Sequence, residues 1–178
     1  MGEFTIRNIT EGFGAVVEGF QYTGEVDDAS HRRLREAFDE RGVLVFRDLD
    51  IDRTAQAYLS ELVISDKAPT LHEAAELAGR QSSFWISNKE PGAAAPFGRL
   101  LYHKDMMWSD QPFLVNSLYG VDVAPDVAPT LFASSARAWE TLPDGLRARV
   151  EGRSAVQDRK STRLNSSHSS SSRMPSSA

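Results

Sequence analysis

The sequence predicts an α+β fold, and three observations carry that prediction. Helical and strand-like patterns are mixed early in the chain, and strand-like segments dominate after residue 100. Turn and cap residues separate most of these segments. Strands and helices also fail to alternate regularly, which favours a growing antiparallel core over a parallel doubly wound sheet.

FTIRNI and GAVVEGF open the chain as two short apolar pieces and predict strands. DDASHRRLREAFDERG follows with Leu34, Ala37, Phe38 and Arg41 at helical spacing; Asp28 or Ser30 can cap its start and Gly42 can close it. In GVLVFRD the run from Val43 to Phe46 is continuous and partly β-branched, which predicts a buried strand. A second helix is expected over 53–63. A third begins at Thr70, where Thr70-x-x-Glu73 is a capping box, and stops at Gly79. SFWIS predicts a strand, and residues 88–99 a loop with Gly and Pro near both ends. FLVNSLYGVDV and TLFAS predict strands joined through the Pro125–Pro129 turn. SARAWETLP and PDGLRARVEG then read as helical, and SAVQD as the start of one more strand.

At 178 residues the chain suits one domain with its own core. It has no cysteine, which excludes disulfides, thiolate metal sites and a cysteine nucleophile. All 25 acidic residues and all but four of the 20 basic ones lie in residues 1–158, which therefore carry a net −9. An acidic body of that kind argues against nucleic acid as a partner. No basic-then-apolar leader or membrane-length apolar run is seen, so the expectation is a cytoplasmic protein with no membrane association. Self-association into a homo-oligomer is left open. In residues 161–178 nine positions are serine. A stretch with so little apolar surface cannot offset its ordering entropy, so 159–178 is expected to be a disordered, non-native tail and His168 no ligand. The domain is expected to occupy 1–158.

The stretch LLYHKDMMWSD, residues 100–110, holds the clearest chemistry. In a strand, residues two apart share a face, so His103 and Asp105 would project together and Lys104 away from them. An imidazole nitrogen and a carboxylate oxygen so placed can occupy neighbouring positions on one divalent metal. With a second histidine they would form the facial triad of non-haem iron(II) oxygenases. With four histidines and 25 acids in the chain, chance also supplies such a pair, and spacing alone favours an ordinary surface histidine beside a strand carboxylate. Other chemistries lack their signatures: there is no G-x-S-x-G, no Walker loop and no G-x-G-x-x-G. The adjacent acids Asp27 and Asp28 fall at a helix start, where capping accounts for them.

Four blocks then resemble the taurine catabolism dioxygenase (TauD/TfdA-like) family, iron(II)- and 2-oxoglutarate-dependent oxygenases. They are LREAFDERGVLVFRD (34–48), YHKDMMWSDQP (102–112), PTLFASSARAWETLP (129–143) and LRARVEGRSAVQD (146–158), in the family's order. The resemblance implies a double-stranded β-helix, or jelly roll, flanked by helices. It implies His103 and Asp105 as iron(II) ligands and Thr130 as a contact to the carboxylate of 2-oxoglutarate. With O2 as the other co-substrate, the implied reaction hydroxylates a small-molecule substrate and releases succinate and CO2. Met106, Met107 and Trp108 are expected to wall the pocket or fill the core, and Asn88, Lys89 and Arg99 flank a loop where the family draws substrate contacts. The sequence departs from the family pattern at Lys104, which replaces a small residue, and at Pro129-Thr130, which stands where Asp-Thr is usual. The family's second metal histidine and its 2-oxoglutarate-binding arginine fall well beyond the 73 residues that follow Asp105 here. The jelly roll is therefore expected to be incomplete and the chain to be an inactive fragment. Two other readings stay open: a non-catalytic metal-binding jelly-roll module, and a metal-free fragment or partner-binding domain.

Overall fold

A computed structural model describes residues 3–80, 85–94, 102–106, 109–125 and 129–154. Its described residues divide between two compact units, one built from Met1–Gln81 and Leu114–Arg149, the other from Ser82–Phe113 and Val150–Ala178.

In the first unit a three-stranded sheet is formed by β1 (Thr5–Asn8), β2 (Ala15–Glu18) and β3 (Leu44–Phe46), in that spatial order. β1 and β2 pair antiparallel, from Thr5 opposite Glu18 to Asn8 opposite Ala15. β2 and β3 run parallel, with Val16 opposite Val45. The expected antiparallel core is met by the β1–β2 pair, whereas β2–β3 is parallel. Between β2 and β3 the chain makes a helix, and a crossover of that length returns it in the same direction. Ala15, Val16 and Val17 of the central strand are all buried rather than alternating, as in a strand covered on both faces.

Helix α1 (Asp28–Arg41) is the crossover. Its N-cap is Asp27 rather than the expected Asp28 or Ser30; the carboxylate accepts from the Ser30 backbone N–H at 3.0 Å and from the Ser30 hydroxyl at 2.9 Å. Those bonds hold the Asp27 carboxyl below its ordinary pKa, the backbone N–H contributing most. Gly42 ends the helix at φ 69°, its N–H donating to the Phe38 carbonyl at 2.7 Å. A Cβ there would sit 3.2 Å from the Phe13 ring in a backbone conformation that L residues avoid, so glycine is needed twice over.

Helix α2 (Arg53–Leu62) is capped by Asp52, whose side chain accepts from Ala55 N–H at 2.8 Å. Helix α3 (Leu71–Arg80) opens with the expected capping box. Thr70 N–H donates to the Glu73 carboxylate at 2.7 Å, and Glu73 N–H donates to the Thr70 hydroxyl at 3.2 Å. The Glu73 carboxyl is accordingly held below its usual range, chiefly by the Thr70 backbone N–H. Two α1 side chains fasten the α2–α3 connection. Arg35 donates to the Ile64 carbonyl at 2.9 Å, and a ring nitrogen of buried His31 lies 3.0 Å from the Ser65 carbonyl oxygen.

The core lies between the sheet and these helices: Phe4, Val17, Phe20, Val26, Leu34, Tyr58, Leu59, Leu62, Val63 and Ala74. Phe20 meets Phe4 and Phe46 edge-on, with ring centroids 5.5 and 5.3 Å away. Tyr58 is fully buried, and its hydroxyl accepts from Val26 N–H at 2.7 Å. Burial pushes the Tyr58 phenol above its ordinary pKa.

The later helices are short. Helix α4 (Ser135–Glu140) is capped by Ser134, whose hydroxyl accepts from Arg137 N–H at 3.2 Å. Helix α5 (Asp144–Val150) sends Arg147 back to the carbonyls of Trp139 and Glu140, at 3.0 Å each, which satisfies acceptors at the end of α4. Among the described residues no helix is long and apolar enough to cross a membrane.

The strands expected at 113–123 and 130–134 are not formed. In the first, Val115 packs against the core, Ser117 accepts from the Gln56 amide at 3.0 Å, and the Tyr119 hydroxyl donates to the Leu49 carbonyl at 3.1 Å. The intervening Leu114 and Leu118 are 78% and 67% exposed. That inward–outward pattern is strand-like, but no described segment pairs with it, and a ladder needs a neighbour. In SFWIS, residues 83 and 84 lie outside the described residues, and Ile86 makes only an isolated bridge to Ala94. Of SAVQD, all but Ser154 lies outside them, as does the tail from 159. The α+β class holds in its coarse form, a small sheet with helices packed on it.

Candidate metal centre

His103 and Asp105 belong to the second unit. The strand expected to carry them is absent: a bend at Tyr102, irregular His103 and Lys104 and a turn at Asp105–Met106 take its place, and no described segment runs alongside to form a ladder. The two side chains meet nonetheless. His103 Nε2 lies 3.3 Å from Asp105 Oδ1, with the side chains 32% and 53% exposed. Immediately after Asp105 the chain turns. Met106 adopts φ 57°, in the left-handed region, and its carbonyl accepts from Ser109 N–H at 2.9 Å. A left-handed methionine costs on the order of 1 kcal/mol or more. Nothing in the sequence signals it, since methionine lacks the turn preference of Gly, Asn or Asp.

The donor spacing can be tested against a metal. Two ligand atoms each about 2.1 Å from a divalent first-row ion, at right angles, lie about 3.0 Å apart. The observed 3.3 Å is close to that edge length, so the pair fits two adjacent positions of one octahedral ion. The same nitrogen and oxygen can share a proton instead. As a half-exposed ion pair, that arrangement would add little to stability.

The other described histidines serve as comparisons. His31 is buried and engaged with the Ser65 carbonyl, as a core histidine is. His72 faces Glu76 one turn along α3, but at 3.8 Å, and Glu76 already meets Arg80 at 3.4 Å. Among the described residues no three His, Cys, Asp or Glu side chains come together as a metal cage. Thr130 is exposed, in the irregular stretch leading to α4, and belongs to the first unit. Asn88 and Lys89 are exposed loop residues of the second unit. Arg99, Met107, Trp108 and His168 lie outside the described residues. A groove of about 500 Å³ between α2 and α3, lined by Glu61, Lys67, Thr70, Glu73 and Arg80, includes none of the candidate ligands.

The sequence model of the taurine catabolism dioxygenase TauD, TfdA family matches residues 5–176, nearly the whole chain. The chain belongs to that family. No curated protein and no solved structure matches it. Membership implies the jelly-roll fold. Members are generally dioxygenases that use iron(II) and 2-oxoglutarate with O2 and act on small molecules.

Proposed function

We propose that this chain carries part of the active site of an iron(II)- and 2-oxoglutarate-dependent dioxygenase that hydroxylates a small organic substrate. The supporting observation is the 3.3 Å approach of His103 Nε2 and Asp105 Oδ1, in a histidine-x-aspartate motif of a chain from this family. Bound iron(II) would supply the activation of O2 that couples decarboxylation of 2-oxoglutarate to substrate hydroxylation.

The residues divide the work by chemistry. His103 offers a neutral nitrogen lone pair and Asp105 one negative charge, so a dication held by both keeps a net positive charge. That charge favours a dianionic 2-oxo acid beside it. Thr130, by its place in the family resemblance, is assigned a hydrogen bond to a carboxylate of 2-oxoglutarate, a charged acceptor. Lys104, between the ligands, is exposed and takes no part.

Calorimetric titration of 2-oxoglutarate into the chain under argon, with and without iron(II), tests this reading. Any uptake of 2-oxoglutarate by this chain should require iron, weaken in Thr130→Val and vanish in His103→Ala. Uptake that ignores iron, or that survives His103→Ala unchanged, would overturn it.

A further inference from the structure

We draw no further inference here: the strongest candidate, the exposed apolar strip of Leu114, Leu118, Val121, Val123, Leu131 and Phe132 on the segment ahead of α4, carries nothing because no feature of the structure shows what covers it.

Discussion

Residues 4–74 and residues 102–134 are built on different principles. The first region contains every buried hydrophobic residue among the described ones, from Phe4 to Ala74. The second contains the candidate metal pair and Thr130, yet leaves Tyr102, Phe113, Leu114, Leu118, Val121, Val123, Leu131 and Phe132 exposed. Local signals suffice for the first: caps, helical periodicity and one crossover bring its apolar faces together. In the second no described residue belongs to a helix or strand, and the strand-like composition there would need a partner that can lie anywhere in the sequence. Stability therefore rests mainly on the first region, to which the second is tied through Val115, Ser117 and Tyr119.

The largest expected effect sets the two regions directly against each other. Leu34→Ala removes a fully buried side chain from α1 and should destabilise the chain by about 2–5 kcal/mol. Leu114→Ala, at a site 78% exposed, should change stability by less than about 0.5 kcal/mol. Urea unfolding followed by circular dichroism measures both. Comparable losses would mean that the later segment is packed and that the contrast is false.

A smaller effect probes one polar contact inside the core. Tyr58→Phe keeps the ring and removes the acceptor of Val26 N–H, leaving a buried donor unsatisfied. The expected cost is about 1–3 kcal/mol in the same unfolding measurement. An unchanged midpoint would show that the N–H finds another partner.

The helix caps give a pH signature confined to the first region. Asp27 and Glu73 both have depressed pKa values in the folded chain, through hydrogen bonds from Ser30 and Thr70 respectively. Their stabilisation is complete above the unfolded carboxylate pKa, about 4, and is lost as the pH falls through the lower folded values. Acid unfolding of an Asp27→Asn, Glu73→Gln double variant should show a flatter limb in that window, at a lower plateau stability. An identical limb would remove both carboxylates from the account.

The same contrast explains what could be read from the sequence. The first three helices and three strands stand close to their expected places because N-caps, the Thr70–Glu73 capping box, the Gly42 stop and apolar periodicity act over a few residues. Asp27 rather than Asp28 is the cap because two adjacent acids leave the exact start ambiguous by one position. The parallel pairing of β2 with β3 follows from the helix between them, a signal that the antiparallel reading of the chain as a whole passed over. Segments 113–123 and 130–134 have strand composition, but composition does not supply a neighbour. The meeting of His103 and Asp105 was legible from their spacing, although through a strand that is not there. The turn at Met106 that replaces it had no sequence signal.

The smallest structural effect accompanies the central claim. Asp105→Ala, at a half-exposed site, should scarcely alter folding. It should nonetheless abolish the preference of iron for His103 over the other described histidines. Anaerobic iron(II) titration watched through the imidazole resonances measures that preference directly. His103 should broaden at lower iron concentrations than His31 and His72, and in Asp105→Ala it should lose that lead. If His72, with Glu76 beside it at 3.8 Å, broadens together with His103, or if Asp105→Ala leaves the order unchanged, the pair is not a metal site.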